Sequence, residues 1–287
     1  MNAPRRTPRQ PATIRGRGLF TAAPATLTIR PAKSAQGLVF ARDNDRVPVA
    51  IASLSTDPIH PAFASLPPRC TCLRGADASP PIATVEHVLA ALGALGVTDA
   101  TLELDGPEVP IDDGSAAAFV DALLAVGLED LAANVEMIRP TREIRVEGDL
   151  GASITISPSD HPKYVYDLDY GPASPIPAAS VRWSGDPDDF ATSVAPARTF
   201  CLRAEAEAMT ALGLFKNLSP RDMLVIGEDG PIDNDYRLED EPARHKLLDL
   251  VGDLALVGSP LCARVHAVRS GHALNHAAAR AILDSLA

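Results

Sequence analysis

Aromatic side chains make up only 4% of the chain, with a single tryptophan, Trp183. A core short of aromatic bulk must be built from Ala, Val, Leu and Ile, and a hydrophobic content of 46% supplies enough of them for a globular protein. Cysteine is equally scarce. Four in 287 residues exclude a disulfide scaffold. Cys70 and Cys72 are spaced more tightly than a zinc-binding CxxC pair and would face the same side of a strand, so buried or pocket-lining thiols in a reducing cytoplasm are expected. Long apolar runs are absent, and no spanning helix is predicted. No apolar segment follows the basic N-terminus, unlike a secretory signal. Net positive charge is lacking as well. At −11 the chain is a poor partner for nucleic acid, whose phosphates call for clustered Lys and Arg. The local exception is Arg5, Arg6, Arg9, Arg15 and Arg17. With Pro4, Pro8 and Pro11 among them, residues 1–11 are predicted as a disordered tail, making at most peripheral contact with anionic lipid.

The rest is patterned. Ala25–Ile29, Gly37–Phe40, Val47–Ile51, Cys70–Leu73 and Ala100–Leu104 read as short strands, the first of them in a hairpin. Asp57–Pro68, with four prolines, reads as a loop. Ile82–Gly96 carries apolar residues at helical spacing with Thr84 as its expected N-cap, and Ser115 is placed to cap a second helix ending at Gly127. Residues 129–141 show little periodicity, and a boundary is placed there, giving units 12–135 and 136–287. In the second unit Ile144–Val146, Ala152–Ile156, Tyr164–Tyr170, Met223–Ile226 and Ala263–Val268 read as strands. Thr199–Ala211, Leu238–Leu254 and the stretch from about Leu274 read as helices.

His245 and Asp249 stand four apart in LEDEPARHKLLDLVGDL, with Asp253 four further on. On a helix these share a face, and an imidazole and a carboxylate so placed can hold one divalent metal. The two halves also repeat: EHVLAALGALG, strand, DDGSAAAFVDALL against RHKLLDLVGDL, strand, RSGHALNHAAARAIL. His87 and His245 occupy equivalent positions. If the halves pack helix to helix, His87, His245 and Asp249 make an N,N,O site with an open position, the catalytic zinc pattern. Glu86 would then stand beside the metal as a base, and His272, after the second Gly-turn, would approach from the other side with Asp253 fixing its tautomer. Taken singly, Glu86 also reads as a helix-start charge, His272 as a turn residue and Asp253 as a solvated helix charge.

At these residues the sequence resembles the UDP-3-O-acyl-N-acetylglucosamine deacetylases of lipid A biosynthesis. The resemblance runs from Gly16 to Leu286 and is dense at Gly16–Leu19, Arg69–Leu73, Thr84–Ala91, Pro107–Ser115, Ala197–Phe200, Tyr236–Leu254 and Ser270–Asn275. It implies an α+β fold of two related domains, each a sheet packed on helices, with the helices sandwiched between the sheets and one Zn2+ at the seam. It implies hydrolysis of acetate from an acylated UDP-N-acetylglucosamine, with His87, His245 and Asp249 as zinc ligands and Glu86 as general base. His272 would aid the tetrahedral intermediate and protonate the leaving amine, Asp253 would hold His272, and Thr199 would help hold the oxyanion. Lys246 and Phe200 would contact substrate, and an insert at about 200–226, including Leu202, Met209, Leu212 and Leu214, would form an acyl passage. A cytoplasmic monomer is expected.

The chain departs from the family pattern at Phe20, where the family has histidine, and at Phe215–Arg221, where it has a Gly-Gly-Ser segment. An aspartate after ARTF and a lysine near Gly148–Ala152 are not evident either. These positions belong to substrate contacts. Two alternatives therefore stand beside the main reading: a zinc deacetylase for another acylated amino sugar, and a non-catalytic zinc-binding regulatory paralogue.

Overall fold

The computed structural model describes residues 2–75, 80–215, 219 and 223–286. Two five-stranded sheets dominate it. Strands β1 (Asn2–Pro8), β2 (Ala12–Arg17), β3 (Pro24–Pro31), β4 (Leu38–Arg42) and β5 (Asp45–Pro48) precede helix α1 (Glu86–Ala94), β6 (Ala100–Leu104) and α2 (Ala117–Val126). The first large sheet has the order β2-β3-β6-β4-β5. After β7 (Leu128–Glu136) come β8 (Ile144–Glu147), β9 (Ser153–Pro158), β10 (Lys163–Leu168), β11 (Ala179–Trp183) and the one-turn α3 (Pro187–Asp189). β12 (Phe200–Leu202), α4 (Arg203–Ala211), β13 (Leu224–Gly227) and β14 (Gly230–Pro231) form a small three-stranded unit. α5 (Glu241–Leu254), β15 (Ala263–Val268) and α6 (His272–Asp284) complete the chain.

The second large sheet has the order β8-β9-β15-β10-β11. In both sheets the late strand, β6 or β15, enters the centre. It runs antiparallel to one neighbour (β3 or β9) and parallel to the other (β4 or β10). Strand by strand the two sheets have the same order and the same senses.

Period-two burial explains why these segments are strands. Ala25, Leu27 and Ile29 of β3 and Ala263, Val265 and Ala267 of β15 point inward, with more exposed residues between them. α1 and α5 are buried on nearly all sides. A helix so covered must lie between layers. α1 packs on α5, α5 also meets β10 and β11, α2 covers β2, and α6 covers β8 and β9. One continuous apolar core takes in both sheets and these helices. A separate cluster of Leu19, Phe20, Phe63, Met209, Leu214, Phe215, Met223 and Val225 sits under the small three-stranded unit.

Several expectations are corrected. Residues 2–8 are no tail but strand β1, antiparallel to β7. The arginines there have protein partners. Arg5 donates two hydrogen bonds to the buried Asp99 carboxylate at 3.1 and 3.0 Å, and Arg9 donates to the Leu128 carbonyl at 3.0 Å. Prolines are tolerated because the ribbon has only two strands, both of them edges. β7 itself lies in the stretch read as aperiodic. It is largely exposed, so burial imprints no alternation on it. Thr84 does not cap α1. It has φ 59°, its hydroxyl donates to Glu108 at 2.8 Å, and Val85 precedes the first helical residue. Cys70–Leu73 forms no strand, only bridges at Leu73, because the Thr71 amide is taken by a side chain. Thr199–Ala211 begins as strand β12, and the Glu205 carboxylate accepts from the Leu202 amide at 3.1 Å to start α4.

Candidate active site

Gly252 positions the site. Mid-helix glycine costs about 1 kcal/mol against alanine, yet here a Cβ would lie 2.0 Å from the Glu86 carbonyl oxygen. The missing side chain lets the first turn of α1 lie directly on α5. Glu86 and His87 are thereby brought against the His245–Asp249–Asp253 face, and all five side chains are buried.

The His87 and His245 rings meet edge to face at 5.0 Å between centroids. Their Nε2 atoms lie 3.7 and 3.4 Å from Asp249 Oδ1. One ligand atom from each of the three residues lies within 4.8 Å of the others. His245 Nδ1 faces the Ala197 carbonyl at 3.1 Å. A proton on that nitrogen leaves Nε2 with a lone pair turned inward, the usual support of a metal-binding imidazole. Lys246 Nζ donates to Asp249 Oδ2 at 2.7 Å, so only Oδ1 remains open. Among the described residues, His87 Nδ1 and Asp249 Oδ1 are buried polar atoms without a hydrogen-bond partner. An orphaned carboxylate oxygen between two imidazoles is costly in a closed protein interior and fits a divalent metal.

Glu86 lies on one side of this group. Its Oε2 accepts from the Thr71 amide at 3.0 Å. Burial raises its pKa to about 8; nearby His272 eases this, while Asp253 and Asp249 add to it. His272 lies next to Glu86, Nδ1 on Asp253 Oδ2 at 2.8 Å and Nε2 3.9 Å from Glu86 Oε1 and 4.0 Å from Asp249 Oδ2. Burial opposes its charged form, but Asp253, with Asp249 and Glu86, prevails and raises it to about 9. For His87, burial and the neighbouring His245 act together and lower the pKa to about 3, leaving the neutral imidazole that a metal requires. Burial would raise Asp249, but Lys246 and the imidazoles hold it well below the carboxylate range. The result is a base and an acid close together beside a neutral-imidazole and carboxylate group, an arrangement suited to hydrolysis.

A cavity of about 410 Å³ opens onto this group. Glu86, His87, Thr199, His245, Lys246, Asp249 and His272 line its polar part, and Leu19, Phe20, Ile111, Ile176, Phe200 and Leu202 its apolar part. Every expected site residue borders this space except Asp253, which is fully buried behind His272. Lys246 Nζ sits 5.7 Å from the centre of the Phe200 ring. Met209 and Leu214 do not line this cavity but belong to the separate apolar cluster, and Leu212 is largely exposed. Of the departing segment Phe215–Arg221, only residues 215 and 219 are among the described residues.

Comparison with known proteins shows the same pattern along the chain. The family described as UDP-3-O-acyl N-acetylglycosamine deacetylase matches residues 5–284. The chain belongs to that family. A UDP-3-O-acyl-N-acetylglucosamine deacetylase of Citrifermentans bemidjiense is 39% identical over 268 residues, 92% of this chain and 84% of the relative. One from Myxococcus xanthus is 34% identical over 275 residues, 95% of this chain and 84% of the relative. One from Brucella melitensis biotype 2 is 34% identical over 288 residues, 99% of this chain and 96% of the relative. Family membership makes the chain a hydrolase, a deacetylase of lipid A biosynthesis. The family is metal-dependent and acts on a small acylated sugar nucleotide. Among the described residues no helix is long and apolar enough to cross a membrane.

Several further residues shape the site through contacts far apart in the chain. Glu108, fully buried, accepts from the amides of Phe20 and Thr21 and from the hydroxyls of Thr21 and Thr84, tying the GRGLF turn to the approach of α1. Gly18 leaves it room, since a Cβ there would fall 2.2 Å from its carboxylate. Arg198, 2% exposed, donates to Glu241, to Asn234 Oδ1 and to the Asp235 carbonyl, clamping the ARTF segment to the start of α5. The mid-helix Gly252 did leave a legible signal, a helix breaker in an otherwise regular pattern.

Proposed function

We propose that the chain is a zinc-dependent deacetylase that hydrolyses the acetamide of an acylated UDP-N-acetylglucosamine, releasing acetate and the free 2-amino sugar. The observation that carries this reading is the convergence of the His87, His245 and Asp249 donor atoms within 4.8 Å, with Glu86 and His272 beside them and 3.9 Å from each other. His87, His245 and Asp249 would hold the metal. Bound there, it would supply Lewis acidity for the acetyl carbonyl and lower the pKa of water toward about 7.

The protein's own groups handle the protons. Glu86 takes one from the attacking water, and the oxygen–carbon bond forms as the carbonyl electrons move to its oxygen. Thr199, on the cavity wall, faces that developing charge. His272, kept charged by Asp253, gives its Nε2 proton to the amine nitrogen as the carbon–nitrogen bond breaks. Asp253 keeps the ring oriented and its charge in balance. Lys246 and Phe200 make one wall against which the sugar nucleotide is positioned, and Leu202 belongs to the apolar wall facing the acyl chain. We read residues 12–135 and 136–287 as duplicated units, on the matching order of their sheets, and the protein as a cytoplasmic monomer.

Phe20 favours altered substrate recognition. Its ring packs at 6.0 Å from Phe215 and 6.3 Å from Phe63, so it gives the cavity an apolar wall where the family has an imidazole. Incubating the zinc-loaded protein with the acylated UDP-N-acetylglucosamine tests the reading. Acetate and free amine are expected in equal amounts. No release with zinc bound would refute this substrate and favour another acylated amino sugar.

A further inference from the structure

Behind the proton-handling pair lies a buried polar chain that the mechanism does not use. Thr71 is fully buried and sits between the two free thiols Cys70 and Cys72. Its amide donates to Glu86 Oε2 at 3.0 Å, and its hydroxyl donates to Asp253 Oδ1 at 2.5 Å. The same hydroxyl oxygen lies 2.8 Å from His276 Nε2. The hydroxyl has one proton. Asp253 is held ionised by His272 and His276 against the effect of burial, so it can only accept. The Thr71 proton therefore goes to Asp253, and His276 must carry its own on Nε2 and donate to the threonine oxygen. Asn275 Nδ2 completes the set at 2.9 Å from Asp253 Oδ2, the oxygen that also serves His272.

We infer that Thr71 and His276 are positioning residues of the deacetylation reaction: Thr71 couples the Glu86 and Asp253–His272 sides through one residue, and His276 fixes the direction of its hydroxyl. Neither lines the catalytic cavity, so neither touches substrate. His276 instead borders a second cavity of about 320 Å³ with Cys70, Cys72 and Arg280. The inference rests on the roles proposed above for Glu86 and His272. Its physical content is geometric. Thr71 holds one oxygen of each carboxylate from the same place, leaving Glu86 Oε1 free toward His272 Nε2 and Asp253 Oδ2 free for His272 Nδ1. Without the hydroxyl, Asp253 loses its bond on Oδ1 and is held through Oδ2 alone, so its plane and the imidazole on it are less tightly fixed.

The test compares Thr71→Val, Thr71→Ser, His276→Leu and His276→Gln in the zinc-loaded enzyme with the acylated UDP-N-acetylglucosamine. Thr71→Val and His276→Leu are expected to lower kcat roughly 10–100-fold, the usual effect of losing a partner behind the reacting groups. KM should stay within about two-fold, because the loss falls on the transition state and not on substrate binding. Zinc content should not change. Thr71→Ser and His276→Gln restore the lost donor and should recover most of the rate. The double variant Thr71→Val/His276→Leu should be no slower than Thr71→Val, because both act through one hydrogen bond. Wild-type kcat in Thr71→Val and His276→Leu, a loss confined to KM, or a loss that serine and glutamine do not repair would each overturn the inference. If Thr71→Val does not fold, the two His276 variants decide alone. Glu86→Ala separates the levels. Inactive Glu86→Ala beside fully active Thr71→Val removes only this inference, while active Glu86→Ala removes the site assignment beneath it.

Discussion

Replacing Gly252 by alanine should damage both the fold and the reaction, although in an isolated helix the same change would stabilise by about 1 kcal/mol. The new methyl carbon would sit 2.0 Å from the Glu86 carbonyl oxygen and 2.8 Å from its carbon. Ordinary contact needs roughly 3.5 Å, so the first turn of α1 must withdraw by on the order of 1 Å. Backbone on both sides of the contact leaves no flexible side chain to yield. Overpacking of this kind costs about 1–3 kcal/mol, which outweighs the propensity gain or at best cancels it. In a protein of this size each kcal/mol lowers Tm by roughly 2–4 °C. The effect on rate should be larger, because Glu86 and His87 ride on the displaced turn, and a misplacement of about 1 Å can cost on the order of 100-fold. Differential scanning calorimetry and acetate release, with zinc content measured on the same sample, give both numbers. An alanine variant as stable as wild type with full kcat would refute the claim that this close approach builds the site.

Other outcomes follow from the same geometry. Asp249→Ala should bring zinc content well below the one ion per chain expected of wild type, read by elemental analysis, while Lys246→Ala, which touches only Oδ2, should leave the metal bound. Arg5→Ala should destabilise by roughly 2–3 kcal/mol in chemical denaturation, less than the 3–5 of a bare buried charge, because the Gly37 amide and the Thr98 hydroxyl still serve Asp99. An unstructured tail would show no effect. Glu241 is raised by burial, but hydrogen bonds from Arg198 and the Arg237 amide outweigh this and leave its pKa depressed. A depressed carboxylate stabilises above its unfolded pKa of about 4.3 and loses that contribution as pH falls through the lower folded value. Glu241→Gln should therefore flatten the acid limb of a stability–pH curve below that point, and an unchanged acid limb would refute the assignment. Glu108→Gln turns an acceptor of several hydrogen bonds into a partial donor and should cost about 1–3 kcal/mol or more, with its effect on KM exceeding that on kcat because the Phe20 turn shifts.

Most of the site could be read from the sequence because its chemistry is periodic. His245, Asp249 and Asp253 declare one helix face by spacing alone, and the recurrence of helix, strand and Gly-turn gave His245 its counterpart in His87. The alternating strands β3, β6, β10 and β15 were legible for the same reason, each having one buried face. What escaped depends on contacts far apart in sequence. β1 is a strand because β7 and Asp99 receive it, and its own prolines and arginines point the other way. Thr71 shows no local pattern, and its role exists only where Glu86, Asp253 and His276 converge. Thr84 has the composition of a cap but is drawn into a left-handed conformation, with its hydroxyl on Glu108.

The most direct test of the central claim is acetate release from the acylated UDP-N-acetylglucosamine by wild type and by Glu86→Ala at matched zinc content. Glu86 touches none of the three proposed ligand side chains through a hydrogen bond, so the variant should keep its metal. It should also lose nearly all turnover, since the carboxylate that receives the water's proton is gone. Equal zinc with turnover reduced on the order of 100-fold or more is the expected result, the scale of losing a general base. Equal zinc with undiminished turnover would contradict the claim that this group of residues is the hydrolytic centre.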